Sequence, residues 1–416
     1  SRRGFLKAGI GLTIAIVVPG CANNSDDTPA VDAIVEGGIL FEPNAFLRIG
    51  SDNTITVIAK HLEMGQGTYT GLSTLIAEEL DADWDQIQVK AAPANAKLYN
   101  NNFWGPMQGT GGSTAIANSY EQMRKAGAAA KQMLVAAAAK QWKVPAEEIQ
   151  VENGVLSHKA SNKSANFGEF AELAARETVP QEVFLKSSDE FRFIGKSVPR
   201  KDSHDKTTGK AIYTQDIKLP GMLTALVAHA PRIGASVKSF DATACKKVKG
   251  VINVVQIPTG IAVLAKDYWS ALQGRYALKV DWDESQAFKK GSAELMGEYK
   301  ALAKKPGSVA RKDGDVDTAM ASAVKTLSAS YEFPYLAHAA MEPLNCVVQI
   351  KKEGCEIWNA AQTQTSDQMA VAKVLGIEVD QVKINTLYAG GSFGRRANPL
   401  SDYVLEATHI ALSLIH

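Results

Sequence analysis

The sequence predicts an α+β chain carrying a separate, smaller α/β domain in its middle. Three observations predict it. The outer parts repeat one unit of Gln-bearing loop, helix, strand and Gly-rich loop: Thr70, Ala77, Leu80 and Asp85–Val89 match Thr365, Ala372, Leu375 and Asp380–Ile384 at one fixed offset. Between them, Ala211 to Val280 alternates short apolar runs with turns, the pattern of buried strands. The 416 residues are 45% hydrophobic and 21% charged, an ordinary globular composition long enough for two or three domains with cores.

Taken in order, Asn44–Ile49 and Thr54–Ala59 are β-like runs around "GSDN", a hairpin signal. "EMGQGTYTG" is a Gly-rich loop, Leu72–Leu80 a helix and Ile87–Lys90 a strand. "GPMQGTGGS", Gly105–Ser113, is a second Gly-rich loop opening an Ala-rich helix over Thr114 to Trp142. The Ser/Asn/Lys-rich stretch His158–Ser164 reads as loop. Composition shifts at Gly195–Gly209. "GMLTALVAHA", "GVINVVQI" and "GIAVLA" then read as buried strands, and Lys289–Lys312 as a charged helical linker. Tyr331–Ile350 and Gly354–Ala360 are β-rich.

The formal net charge of +1 gives no global argument for nucleic acid. None of Cys21, Cys245, Cys346 and Cys355 forms a C-x-x-C pair, so no usual local pattern holds an iron–sulfur cluster or structural zinc. A Cys346–Cys355 disulfide and two buried thiols are both open. "SRRGFLK", with Arg2 and Arg3, precedes an apolar run from Ala8 to Val18 that is short for a membrane span. This resembles a twin-arginine export signal and predicts a periplasmic protein exported folded. "VVPGC" loosely resembles a lipoprotein box, so lipidation of Cys21 and membrane anchoring stay open. "ANNSDDTPA" reads as a polar tether.

Four stretches carry candidate chemistry. Gly65-Gln66-Gly67 brings backbone close to a ligand, with the Gln66 amide both donating and accepting; a plain tight turn is the alternative. "QGTGGS", Gln108–Ser113, offers N–H groups and hydroxyls before a helix, which suits a pyrophosphate. It is neither a P-loop nor a dinucleotide fingerprint, which disfavours nucleotide triphosphatases and nicotinamide enzymes. In "HAAMEP", His338 and Glu342 are either an acid/base pair or a structural polar residue and a carboxylate satisfying loop amides. Gln362 and Gln364 are neutral amides able to hydrogen-bond an oxo group, or plain surface polarity. "AGGSFGRRANP", Ala389–Pro399, has glycines that allow a close approach to its backbone.

Together the pieces are recognisable. "TGKAIYTQDIKLPGMLTALVAHAP" resembles the start of the α/β hammerhead domain of the xanthine dehydrogenase–aldehyde oxidase family, and "VINVVQIPTGIAVLAKDYWSALQGRYAL" continues it. "HAAMEP", "AAQTQTSDQMAVAKVLG" and "GGSFGRR" follow in the order of that family's molybdenum-binding region. "EMGQGTYTGLSTLIAEEL" and "GTGGSTAIANSYEQM" resemble its pterin and dinucleotide segments, placed first here rather than late. That order resembles the isoquinoline 1-oxidoreductase large subunit, or membrane-associated aldehyde dehydrogenase, type.

The resemblance implies a division into a signal and tether (1–35), a molybdopterin-binding segment (36–190), an inserted hammerhead domain (195–290) and the first part of the molybdenum-binding region (300–416). It implies that Gln362 hydrogen-bonds an oxo ligand of molybdenum. Gly391, Phe393, Gly394 and Arg395 would lie near the metal, with Phe393 walling the substrate pocket. Gly65, Gln66 and Gly67 would meet the pterin, and Thr110, Gly111, Gly112, Ser113 and Thr114 the pyrophosphate. The implied cofactor is molybdopterin cytosine dinucleotide (Mo), whose own dithiolene holds the metal, so no protein metal ligand is expected.

The implied reaction hydroxylates an aldehyde or N-heterocycle with water as the oxygen source. Electrons pass to a small 2Fe-2S subunit carrying the iron–sulfur clusters, with a cytochrome as a candidate acceptor and peripheral membrane association left open. The family's glutamate base falls beyond His416, so no catalytic residue is assigned, Glu342 is not promoted to that role, and the chain alone is expected to be inactive. Ser392 replaces a usual glycine, and Ala397 replaces the acidic contact of purine-oxidising relatives, which argues against purines. The alternative is a truncated, non-catalytic periplasmic protein that binds a ligand or partner. An exported flavin oxidoreductase is disfavoured by the missing dinucleotide fingerprint.

Overall fold

A computed structural model describes residues 11–14 and 46–415. The arginine pair, Cys21 and the polar tether lie outside the described residues. Of the apolar run Ala8–Val18, Gly11–Ile14 (β1) pairs antiparallel with Leu47–Gly50 (β2). β2 turns through Gly50–Asn53 into Ile55–Ala59 (β3), closed by Gly50 N–H donating to the Thr54 carbonyl at 2.9 Å. Ile55, Val57 and Ala59 are buried while Thr56 and Ile58 are not, the alternation of a strand with one covered face.

Helix α1 (Thr68–Leu80) carries the chain from β3 to β4 (Ile87–Ala91), which lies parallel to β3 with Ile55 opposite Ile87. It buries Leu72, Leu75, Ile76 and Leu80 and stops at Asp81, in the left-handed region at φ 53°. The 28-residue α2 (Ala115–Trp142) packs on it through Met123, Ala126, Ala130 and Leu134. Gly127 allows the contact, since a Cβ there would lie 2.6 Å from the Ile76 carbonyl oxygen. The His158–Ser164 stretch, expected to be loop, is the turn of a meander of β5 (Gln150–Glu152), β6 (Val155–His158) and β7 (Lys163–Asn166). Only Leu156, His158 and Ala165 of β6 and β7 are buried, so the periodicity that announces a strand is weak there. Helix α3 (Phe167–Ala174) follows β7 and packs against α2 and against β1 and β2.

The chain divides into two compact units, Ser1–Pro220 with Ala340–His416, and Gly221–Ala339. In the second unit β8 (Thr224–His229), β11 (Gly260–Ala265) and β10 (Val251–Ile257) form one antiparallel sheet, in the order β10-β11-β8. β9 (Ser236–Asp241) pairs with β12 (Lys279–Asp283). Helix α4 (Tyr268–Ala277) packs against β8 and β11. The core holds Cys245, Val254, Ile261 and Val263. Only β11 is buried along its whole length; β8 is half-buried. Helix α5 (Ser292–Leu302) buries no residue, as its charge predicts. The β-rich reading of Tyr331–Ile350 holds only for β13 (Val347–Lys351). Tyr331, Phe333, Tyr335 and Leu336 stay exposed in irregular chain, because β propensity forms a strand only where a partner strand takes the hydrogen bonds.

β13 turns into β14 (Gly354–Asn359), then α6 (Gln364–Leu375) leads to β15 (Val382–Thr386), parallel to β14. Hairpin, helix and parallel strand thus occur twice in the first unit; the fixed-offset repeat predicts the helix and the strand after it, and the hairpin before them and the parallel pairing come from the structure. The copies differ in the loop before the helix: Lys60–Gly67 in one, Ala360–Thr363 in the other. Helix α7 (Asp402–Leu412) packs on α6 and β13. Cys346 and Cys355 are free thiols here; Cys355 faces Ile350 across the ladder and Cys346 lies before β13 begins.

Candidate functional site

Four loops of the first unit meet: Lys60–Gly67, Gln108–Thr114, Ala360–Thr363 and Ala389–Pro399. Each follows a strand or precedes a helix, where backbone groups lie outside the ladders and need other partners. Gln362, 3% exposed, joins three of the loops. Its side-chain Nε2 donates to the Thr110 carbonyl at 2.7 Å, and its Oε1 accepts from Ser392 Oγ. Its backbone carbonyl accepts from Thr110 N–H at 2.8 Å, and its N–H donates to the Arg396 carbonyl at 3.1 Å. Thr110 ties in the first loop, its Oγ1 accepting from Leu62 N–H at 2.8 Å. Gln108 donates its N–H to Thr365 Oγ1 at 2.9 Å. Gln364 is buried, with no partner for its Oε1.

Two further groups expected to face the ligand have protein partners as well. The Gln66 Nε2 donates to the Leu62 carbonyl at 2.8 Å and to Thr68 Oγ1 at 2.7 Å, and its Oε1 accepts from Met64 N–H at 2.8 Å. The Arg395 guanidinium pairs with Asp402. Others stand open. Gly112 and Ser113 are exposed, with φ 60° and 55°, directly before the N-terminus of α2, where Thr114 gives no side-chain cap. Phe393 is 75% exposed at φ 56°, between Gly391 at 96° and Gly394 at 93°.

Glu342 lies beneath the last loop. Its Oε2 accepts from Gly390 N–H at 2.8 Å and from Arg396 Nη2 at 2.9 Å. This is the amide-satisfying role, and it leaves the carboxylate committed rather than free for proton transfer. A Cβ on Gly390 would lie 2.4 Å from that of Glu342, so only glycine fits. His338 belongs to the other unit and is exposed.

Sequence reasoning passed over three buried groups of the first loop. The Lys60 ammonium donates to the Asn100 carbonyl at 3.0 Å and to Gln122 Oε1 at 2.7 Å, and burial pulls its pKa down to about 7. His61 Nδ1 bonds the Gly109 carbonyl at 3.0 Å, and its Nε2 meets Asn118 Nδ2 at 3.0 Å, which makes it the neutral Nδ1–H tautomer. Burial first, and the Lys60 charge second, lower its pKa to about 4. The third is Glu63, wholly buried. The signal available for it was an acidic residue shortly before a Gly-x-Gly helix start. Two surface grooves of this unit, one lined by Val135, Phe184 and Lys186 and one by Asp81 and Arg192, contain none of the loop residues.

Two family models, both described as molybdopterin cofactor-binding domain, match residues 1–219 and 302–413. The first alone covers more than half of the chain. The chain belongs to the molybdopterin cofactor-binding family. Its first matched segment ends beside Pro220, where the first compact unit pauses, and the second includes all of Ala340–Leu412. The four loops therefore lie in the matched, molybdopterin-binding parts. The chain is 31% identical over its full length to the beta subunit of isoquinoline 1-oxidoreductase of Brevundimonas diminuta, covering 58% of that protein. It is 31% identical to the membrane-bound aldehyde dehydrogenase (pyrroloquinoline-quinone) of Gluconacetobacter polyoxogenes, over 98% of this chain and 53% of that one. A nicotinate dehydrogenase subunit of Pseudomonas putida is 28% identical over 84% of the chain and 30% of its own length. The chain spans little more than half the length of the first two relatives.

Among the described residues no three His, Cys, Asp or Glu side chains stand together as a metal site, and no helix is long and apolar enough to cross a membrane.

Proposed function

We propose that this chain is the molybdopterin-binding part of the large subunit of a molybdenum hydroxylase that oxidises an aldehyde or an N-heterocycle. The observation that carries the reading is the meeting of four loops from both halves of the repeat, three joined by Gln362 and the first tied in by Thr110, within segments of the molybdopterin-binding family. The residues present fit such a cofactor. Gly112 and Ser113 turn exposed backbone outward at a helix N-terminus, which favours an anionic group such as a pyrophosphate. Gly391 and Gly394, both left-handed, let a planar group approach the last loop, and exposed Phe393 offers an apolar wall.

When bound, the cofactor supplies the redox chemistry, with water as the oxygen source. The chain's residues do the holding. Gln362 fixes the spacing of the second, third and fourth loops, Thr110 couples the first to them, and the Glu342–Arg396 pair sets the last loop from below. Three finer features belong to the same proposal: the cofactor is the cytosine dinucleotide form, electrons leave to a 2Fe-2S partner subunit, and the protein is exported folded by the twin-arginine route. The relatives named as subunits support a multi-subunit assembly. The test is elemental analysis of the protein as its native host makes it, purified from molybdate-fed cells, with acid release of its nucleotide. Molybdenum with one equivalent of CMP is expected; protein free of molybdenum refutes the reading, and GMP refutes the cytosine form.

A further inference from the structure

Helix α1 starts at Thr68 with Gly67 as N-cap and no side-chain cap from that residue. One N–H of its first turn and two just before it are nevertheless taken. Glu63 Oε2 accepts from Tyr69 N–H at 3.0 Å, and its Oε1 accepts from Gly65 N–H at 2.8 Å and Gly67 N–H at 3.2 Å. With Gly65 at φ 109° and Gly67 at 92°, these amides converge on one point, the geometry of an anion nest at a helix N-terminus. The anion in it is the protein's own. The carboxylate is 0% exposed, and Arg200 braces it with one guanidinium nitrogen on Glu63 at 3.3 Å and another on the Gly65 carbonyl at 3.0 Å. Asp202 holds Arg200 at 2.7 Å and Lys206 at 2.5 Å, and Lys206 lies 3.7 Å from Glu63. The other copy of the repeat has no such group: Thr363 caps α6 without a side-chain bond.

We infer that Glu63 is a positioning residue that fills the Gly65–Gly67 nest as a built-in anion, braced by Arg200. The nest is thereby closed to phosphate, and the loop keeps one shape whether or not a cofactor is present. This rests on reading that loop as the one facing the pterin. It refines the site by function: the first loop presents the outer, exposed edge of Gly65 and Gln66 to a neutral ring, and the anionic part of the ligand is left to Gly112, Ser113 and α2.

The test uses the full chain without cofactor. Hydrogen exchange of Gly65, Gly67 and Tyr69 is compared in wild type, Glu63→Ala and Glu63→Gln, with and without formate or inorganic phosphate. Losing a charged acceptor speeds those three amides roughly tenfold or more in Glu63→Ala, with distant helices unchanged. Glu63→Gln, which keeps one acceptor oxygen and the side-chain volume, falls between and covers a failure of the alanine variant to fold. Formate restores protection in Glu63→Ala, which a general loss of stability does not allow. Phosphate protects the same amides in Glu63→Ala and not in wild type. Unchanged exchange in both variants, or phosphate protection of the wild-type loop, overturns the inference. In the cofactor-loaded protein purified from its native host, Glu63→Gln lowers pterin content. Faster exchange with full pterin content removes the role toward the pterin while leaving the self-filled nest standing.

Discussion

Arg396 is among the largest fully buried side chains of the protein, and its chemistry explains the loop it lies beneath. Its Nε donates to the Gly391 carbonyl at 2.7 Å, and its Nη2 donates to both the carbonyl and the carboxylate of Glu342 at 2.9 Å. Nη1 has no protein partner. The pair costs desolvation, but it holds two loop segments that have no strand to hold them. Removing one member leaves the other as an unpaired buried charge. Either Glu342→Ala or Arg396→Ala therefore lowers unfolding free energy by about 3–5 kcal/mol in urea titrations. The double replacement Glu342→Ala with Arg396→Ala loses less than the sum of the single losses. An additive double variant would show that the two do not act as a pair. "GRRANP" revealed two arginines in sequence, but not that Arg395 stays near the surface on Asp402 while Arg396 turns inward.

At the scale of elements, the repeat was legible because both copies keep the same apolar spacing and the same acidic-Gln helix before the returning strand. What the pattern did not carry was how the copies join. They join by backbone and amide bonds, Thr110 with Gln362 and Gln108 with Thr365, which leave no hydrophobic period. The clamp of the second loop onto α2 is His61, and it makes a pH prediction. A histidine whose folded pKa lies near 4 and whose unfolded value is 6.5 stabilises fully above about 6.5 and loses that share as pH falls toward 4. The shift corresponds to roughly 3 kcal/mol. Buried Asp367 works the other way: burial pushes it up to about 7, so its share is present at low pH and is lost as pH rises from its ordinary range through 7. The two windows overlap and mask each other in wild type. In Asp367→Asn, stability measured by chemical denaturation falls by about 3 kcal/mol between pH 7 and pH 4. Adding His61→Gln flattens that fall; an unchanged slope in the double variant means His61 does not drive it.

At the scale of the whole molecule, each unit has its own core, one built on Ile55, Ile76 and Leu134, the other on Cys245, Ile261 and Val263. The stretch from Val324 to Leu336 belongs to neither core. Val324, Leu327, Tyr331, Phe333, Tyr335 and Leu336 are all at least 78% exposed, without helix or strand. Brief digestion of the chain with chymotrypsin therefore cuts first at Leu327, Tyr331, Tyr335 or Leu336, as mass spectrometry of the fragments would report. First cleavage inside α1 or α2 would contradict the packing described for them.

By itself the sequence determined the α+β class, the twofold recurrence of helix and following strand, and the Gly-rich loops from which the molybdopterin-binding character is read. Those follow from local rules: apolar period, helix propensity, and glycine where backbone must turn or be approached. Only the tertiary structure decided which groups of those loops remain available. Gln362 and Gln66 are engaged by backbone groups, Glu63 fills the glycine nest, and Glu342 is bound to Arg396, while Gly112, Ser113 and Phe393 stand open. The physical reason is that a hydrogen-bonding group shows its type in the sequence, but its partner comes from a segment far along the chain. Burial then makes that partnership obligatory.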